Sequence, residues 1–200
     1  MTREAITRAA RRLRDDNGIV SPEQLCEIIG ACLCPVPMGK EKDSIKGFVQ
    51  RCSRICTVVV NSDLPEEIQA IVEYHEIGHI VLKHYESQSF FRFQEFSLFD
   101  GRSEKENEAN TFVAEYLLDD ETAIRHLRQY QDIFSAAASL QVPPEILAFK
   151  ARMLNHYHLI SADVPITVNS SFMGKIRLTR ENHRIETEGG GHDGQNIHCH

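Results

Sequence analysis

Residues 75–79 read His75-Glu76-Ile77-Gly78-His79, an HExxH sequence inside a run whose apolar residues recur at helical spacing. The run opens at Leu64-Pro65 and is predicted to stay helical as far as Tyr85. Residues four apart lie on one face of a helix, so both imidazoles can reach one metal ion. Glu76 lies beside His75 and can act on a water bound to that metal. The pattern predicts a catalytic metal site on this helix.

A third ligand is expected from the helix predicted over 103–118, which offers Glu104, Glu106 and Glu108. The buried stripe of that helix is set by residues at helical spacing, namely Ala109, Phe112, Val113, Tyr116 and Leu117. Glu106 lies nearest the centre of the stripe, so it is the predicted ligand. Asn110, one turn later on the same face, is predicted to hydrogen-bond a histidine ligand or to position the helix.

Two histidines and a glutamate suit zinc better than calcium or magnesium, although other transition metals stay open. HExxH also occurs by chance in helices that bind nothing. Here the motif has apolar residues on both sides, and burying such a set without a metal or other partners would be costly. The expectation is therefore one Zn2+ per chain, held by His75, His79 and Glu106.

These residues resemble the ImmA/IrrE metallopeptidases, a family grouped with the gluzincin-like HExxH enzymes. The similarity rests on Thr57 to Asn61, on residues 75–79 with the apolar run after them, and on Glu106 to Leu118, and it covers 45–120 well. It implies that His75, His79 and Glu106 bind the metal and that Glu76 is the general base. The family's helix often ends in Leu-Leu-Met-Pro, whereas this one ends in Leu117-Leu118-Asp119-Asp120. That difference is expected to alter the start of the next helix more than the metal site.

The resemblance implies a zinc-dependent endopeptidase that cuts a specific protein, a helix-turn-helix transcriptional repressor of a phage, mobile element or stress operon. The residues themselves indicate metal-assisted hydrolysis, in which Glu76 takes a proton from the attacking water and later delivers a proton to the leaving amine. The group that stabilises the oxyanion besides zinc is not identified. His84 and Tyr85 are candidates, and they can equally cover the end of the helix.

Two other functions remain open. The chain could be a non-catalytic, metal-containing protein that binds and sequesters a repressor. Residues 136–154 also resemble a helix-turn-helix, but Lys150 and Arg152 are the available basic side chains on its second helix. A role in packing or partner docking is therefore favoured for this segment over DNA binding.

The predicted fold class is α+β and zincin-like, mainly helical with a small three-stranded antiparallel sheet before the HExxH helix. Strands are expected over Cys32 to Val36, Ile45 to Gln50 and Ile55 to Val60, which are rich in β-branched residues. The predicted organisation is a metallopeptidase domain over 1–120, a helical extension over 121–160, and a weakly β segment with a flexible tail over 161–200.

Composition narrows the class of protein and of partner. The 200 residues carry a net charge of −7, which disfavours nucleic-acid binding over the whole chain. Apolar runs stay well short of the ~18 residues of a membrane span, and acidic residues near the N-terminus argue against a targeting peptide. A cytoplasmic protein with reduced cysteines is expected.

Three weaker patterns stay open. Five phenylalanines within 86–103 could line a cleft, form a docking surface or pack the core. The cysteine pairs 32/34 and 52/56 are interpreted as small hydrophobic residues rather than a second metal site. His192, His198, Cys199 and His200 could bind a metal loosely, but their Gly-rich surroundings favour a flexible tail.

Overall fold

The computed structural model describes residues 1–41, 44–86 and 103–160 of the 200-residue chain. Within these residues it contains seven α-helices, three strands and one 3-10 turn over His84–Glu86. The helices are α1 (Arg3–Asn17), α2 (Pro22–Ile29), α3 (Glu66–Val81), α4 (Glu104–Leu117), α5 (Asp120–Gln129), α6 (Ile133–Leu140) and α7 (Pro144–His156). The strands are β1 (Cys32–Val36), β2 (Gly47–Cys52) and β3 (Ile55–Asn61). The predicted fold class, mainly helical with a small sheet before the HExxH helix, is confirmed.

Short polar side chains fix where most of these helices begin. A side-chain oxygen at the N-cap accepts a hydrogen bond from a backbone N–H of the first turn, which would otherwise lack an intrahelical acceptor. Thr2, Ser21, Ser103, Asp119 and Asp132 play this part for α1, α2, α4, α5 and α6. Ser21 and Gln24 form a reciprocal capping box. The predicted start of α2 at Pro22 is confirmed.

The prediction of an antiparallel sheet is wrong for one of its two strand pairs. The strand order is β1-β3-β2, with β2 antiparallel to β3 and β1 parallel to it. The β2–β3 pair is a hairpin closed by a two-residue turn in which Ser53 has a φ of 57°. Strand β2, the next strand after β1 in the sequence, instead pairs with the far side of β3 and runs opposite to it.

Asn61, at the end of β3, explains how that crossing is held. Its buried side chain accepts a hydrogen bond from the backbone N–H of Met38 and donates to the backbone oxygens of Gly39 and Ile45. These three hydrogen bonds tie the residues that follow β1 and the residue before β2 to the end of β3. Runs of β-branched residues predict strands but not this order, because the order depends on a contact distant in sequence.

The HExxH helix ends four residues earlier than predicted, at Val81 rather than Tyr85. Leu82 caps α3, and Lys83 adopts the left-handed conformation with a φ of 58°. The chain then turns into the 3-10 segment that begins with His84. This turn places His84 against His79 instead of one helical turn beyond it.

The buried apolar residues form two clusters. The first lies among the helices α1, α2, α3 and α4 and the sheet, and includes Ile6, Leu25, Val58, Ile77 and Phe112. The second lies among α5, α6 and α7, and includes Leu118, Leu127, Ile133, Leu147 and Leu154. The predicted domain boundaries at 120 and 160 remain predictions, and both the phenylalanine-rich segment and the 161–200 tail lie outside the described residues.

Among the described residues, none of the helices combines the length and apolar character that a membrane crossing requires. Five cysteines lie in this part of the chain, all as free thiols. Cys26 and Cys56 are buried, whereas Cys32, Cys34 and Cys52 are exposed. Of the four cysteines interpreted as small hydrophobic residues, Cys56 is buried as expected and these three are not.

Candidate metal centre

Helix α3 carries its polar motif on a face that points into the protein. His75, Glu76 and His79 are 1%, 2% and 3% exposed. Ile71, Val72 and Ile77 of the same helix belong to the first core cluster, so packing fixes α3 on several sides. Because the helix is held on most of its surface, the motif side chains sit in a rigid element rather than on a loop.

Helix α4 brings Glu106 to the two histidines. The Nε2 atoms of His75 and His79 lie 3.0 Å apart. Glu106 places Oε2 3.1 Å from Nε2 of His75 and Oε1 3.4 Å from Nε2 of His79. One ligand atom from each residue lies within 4.8 Å of the others, so the three side chains could hold one metal ion. The structure thus brings together the three residues that the sequence predicts as ligands.

The choice of Glu106 over its neighbours follows from where each glutamate lies on α4. The Glu104 side chain is 85% exposed, and that of Glu106 is 20% exposed and faces the histidines. Glu108 is buried but contacts His84. Within the part of the chain that the structure describes, His75, His79 and Glu106 form the one cluster of three or more residues suited to a metal.

Gly78 allows α4 to approach this closely. A Cβ at this position would lie 3.0 Å from Cδ1 of Phe112 and 3.3 Å from the backbone oxygen of Ala109. The second contact is with backbone, which cannot rotate away. Glycine within the motif therefore sets the spacing between the helix that carries the histidines and the helix that carries Glu106.

Both histidines are held on the ring edge opposite to Glu106. His75 places Nδ1 2.8 Å from Oδ1 of Asn110, as the prediction for Asn110 allowed. His79 places Nδ1 2.8 Å from Nδ1 of His84, and Nε2 of His84 lies 2.8 Å from Oε2 of Glu108. The structure therefore puts His84 behind His79 and not among the atoms that face Glu106. The role of Tyr85 stays open, and its ring lies 4.8 Å from the guanidinium carbon of Arg51.

A comparison with known families identifies the chain. A family model described as the IrrE N-terminal-like domain, from a family of peptidases, matches residues 26–152. The chain belongs to this family. No curated protein matches the chain. The matched range contains α3, α4 and every residue of the candidate metal centre, and membership makes the protein a metallopeptidase.

The electrostatics of the candidate site differ between the carboxylate of Glu106 and the imidazoles near it. Burial raises the pKa of Glu106, but hydrogen bonds from His75 and His79 outweigh that effect and bring the pKa down to about 2. Burial lowers the pKa of His75, and it lowers that of His84 to about 4. At neutral pH Glu106 is therefore a carboxylate and His75 a neutral imidazole, which are the forms that bind a metal.

Glu76 differs from Glu106 because its Oε1 atom is buried and has no hydrogen-bond donor among the described residues. Burial raises the pKa of Glu76 to about 7. Gly47, the first residue of strand β2, lies close to the Glu76 side chain: a Cβ at Gly47 would lie 2.6 Å from Cγ1 of Val72 and 3.5 Å from Cγ of Glu76. A buried carboxyl with a pKa near neutrality suits a general base.

Lys150, one of the two basic residues considered for DNA binding, is buried in the protein core. Its Nζ atom lies 3.1 Å from Oε2 of Glu115 and 2.6 Å from Oδ1 of Asp120, and Lys150 and Glu115 are both 0% exposed. Arg3 also pairs with Glu115, at 3.1 Å. Lys150 therefore joins α7 to α4 and α5 and is not available to contact phosphate.

Sequence reasoning did not assign Glu108 a role and did not place His84 beside His79. Glu108 lies away from the centre of the predicted buried stripe, and His84 meets His79 only because of the turn at Lys83. The available signal was that α4 offers polar residues at 106, 108 and 110 just before a buried apolar run.

Proposed function

We propose that this metallopeptidase is a zinc-dependent endopeptidase in which His75, His79 and Glu106 hold the metal and Glu76 is the general base. The observation that carries the proposal is that two buried imidazole nitrogens and one carboxylate oxygen lie within 4.8 Å of one another. Two neutral nitrogens and one carboxylate oxygen form a donor set typical of catalytic zinc. The Oε1 atom of Glu76 is buried and has no hydrogen-bond donor among the described residues. A water molecule next to the metal would supply that donor.

Zinc at this position supplies Lewis-acid chemistry, because it lowers the pKa of water and polarises a carbonyl oxygen. Glu76 then accepts a proton from the water that attacks the scissile carbonyl carbon. The protonated carboxyl later donates that proton to the leaving amine, which returns Glu76 to its starting form. The raised pKa of Glu76 favours both halves of this cycle near neutral pH.

The position of β2 supports a peptide as the substrate. The strand order places β2 at an end of the sheet, and its first residue, Gly47, lies close to the side chain of Glu76. Among the described residues, β2 has a strand partner on one side only. An extended peptide can pair with such an edge through its backbone, which would bring a peptide bond near the general base.

The substrate we propose is a helix-turn-helix repressor, so that cleavage would regulate transcription in the cytoplasm. This part rests on the resemblance to ImmA/IrrE metallopeptidases and not on the geometry of the site. Direct DNA binding is not part of the proposal, because Lys150 lies inside an ion-pair network.

The test uses the purified chain loaded with one equivalent of zinc, together with a small helix-turn-helix protein encoded beside it. Mass spectrometry of the partner should show one or a few cleavage products that chelation of the metal prevents. Glu76→Gln should abolish cleavage but retain zinc. Glu73→Gln is the matched control, because Glu73 is also a buried glutamate on α3. Repression relieved equally by Glu76→Gln and by the wild type would instead favour the sequestering function.

A further inference from the structure

When one nitrogen of a histidine ring binds a metal, the ring proton must be on the other nitrogen. A neutral imidazole has one N–H and one bare nitrogen. If His79 binds the metal through Nε2, its proton must be on Nδ1. The atom opposite that Nδ1 is Nδ1 of His84. His84 must therefore accept the hydrogen bond and carry its own proton on Nε2.

The next contact satisfies the proton that this assignment places on His84. Nε2 of His84 faces a carboxylate oxygen of Glu108, which can only accept when ionised. Glu108 is buried, and the amino group of Met1 also contacts it. Each hydrogen bond in the series thus has one donor and one acceptor, and the direction of every one follows from metal binding at His79.

We propose that His84 and Glu108 are positioning residues of the metal centre, in which Glu108 holds His84 in the Nε2–H form and His84 orients His79 by accepting its Nδ1–H. The inference rests on the proposed function, because it presumes that His79 binds the metal. His75 has a simpler arrangement, in which the amide oxygen of Asn110 accepts directly. The two histidine ligands are therefore held by different chemical groups.

One helix organises the whole centre under this proposal. Glu106, Glu108 and Asn110 all lie on α4. Glu106 contacts both histidines directly, Asn110 holds His75, and Glu108 holds His79 through His84. The groups that orient a histidine ligand also raise its basicity, and their loss typically lowers metal affinity by about 10 to 100-fold.

The most direct test is the position of the proton on His84. Long-range nitrogen–proton NMR spectra of histidine-labelled protein, recorded with one equivalent of zinc, distinguish the two neutral forms of each ring. His84 is expected in the Nε2–H form and His79 in the Nδ1–H form with Nε2 bound to zinc. An Nδ1–H form for His84 would overturn the proposal.

Zinc affinity, measured by competition with a chromophoric chelator, tests the consequence. His84→Phe removes the acceptor and should weaken binding by about 10 to 100-fold, whereas His84→Asn, whose amide oxygen can replace Nδ1, should stay within about threefold of the wild type. Glu108→Leu should also weaken binding, but should add little to His84→Phe because it acts through the same histidine. Glu104→Leu is the matched control, since Glu104 is exposed on the same helix.

Two further outcomes separate this inference from the proposed function. Zinc binding by His84→Phe and Glu108→Leu as tight as in the wild type would refute the positioning role while the metal site stands. A wild-type chain that binds no zinc would refute the proposed function itself. If circular dichroism shows that His84→Phe does not fold, the zinc affinity of Glu108→Leu is compared with that of Glu104→Leu, and equal affinities would refute the positioning role.

Discussion

The Nδ1 atom of His75 lies 2.8 Å from the Oδ1 atom of Asn110, and both side chains are buried. The amide oxygen accepts the ring proton when Nε2 of His75 is free to bind a metal. A helix that supplies Glu106 to the centre therefore also fixes the ring orientation of a histidine on the neighbouring helix.

Asn110→Leu is expected to weaken zinc binding by about 10 to 100-fold, because the buried N–H of His75 loses its acceptor. Asn110→Asp retains an acceptor and should bind zinc about as well as the wild type. Competition with a chelator gives both values. Asn107→Leu, at an exposed position of α4, serves as the control. Equal affinities for Asn110→Leu and Asn107→Leu would contradict the assignment.

Gly78→Ala is expected to destabilise the protein even though alanine is the better helix former. The gain from helix propensity is roughly 0.5 to 1 kcal/mol, whereas overpacking against Phe112 and the backbone of Ala109 costs about 1 to 3 kcal/mol. Urea denaturation should show a net loss and chelator competition a weaker zinc site, since α4 must move with Glu106. Adding Phe112→Leu should recover part of the loss; no recovery would mean that the predicted contact is not the cause.

Lys150→Met tests the buried ion pairs that join α7 to α4 and α5. It leaves Glu115 with Arg3, and Asp120 with Arg3 and Arg11, and it removes the cation buried between them, so the free energy of unfolding should fall by about 3 kcal/mol. Arg152→Met, at an exposed position on the same helix, should change it by less than about 0.5 kcal/mol. Thermal denaturation compares the two. Neither substitution should change the affinity of the protein for duplex DNA. A salt-dependent affinity for duplex DNA that both variants lose would instead support the DNA-binding hypothesis.

The raised pKa of Glu73 predicts how the free energy of unfolding depends on pH. Burial, and next the nearby Glu23, raise the pKa of Glu73 to about 7 from 4.5. The folded state therefore keeps a proton between these values that the unfolded state has lost. Stability linked to this group is present at low pH and falls as the pH rises from 4.5 through 7.

Glu73→Gln removes that loss, so at pH 8 the variant should be more stable than the wild type by up to about 3 kcal/mol. Near pH 4.5 the two should be equally stable. Glu67→Gln, at an exposed position of the same helix, is the control. Urea titrations at both pH values and equal metal loading give the two free energies of unfolding. A difference between the variant and the wild type that is the same at both pH values would mean that ionisation of Glu73 is not its cause.

The sequence predicted those parts of the site that depend on local periodicity. His75, Glu76 and His79 follow from spacing within α3, and Glu106 follows from its angle to the apolar stripe of α4. The His84–Glu108 contact could not be predicted in this way, because it needs both the left-handed turn at Lys83 and the packing of α4 against α3.

The same distinction holds for the fold. Strands and helix starts follow from local patterns such as the Ser21 cap. The parallel pairing of β1 with β3 depends instead on the three hydrogen bonds that Asn61 makes to a connection more than fifteen residues away in sequence. Burial of Lys150 depends likewise on carboxylates from two other helices.

Zinc binding by the wild type and by Glu106→Ala tests the central claim most directly. Metal analysis after dialysis against a buffered, low concentration of free zinc should find one zinc per wild-type chain. Glu106→Ala should lose most of it, whereas Glu104→Ala should retain it. A wild-type chain without zinc, or a Glu106→Ala variant that binds zinc as tightly as Glu104→Ala does, would contradict the assignment of the metal centre.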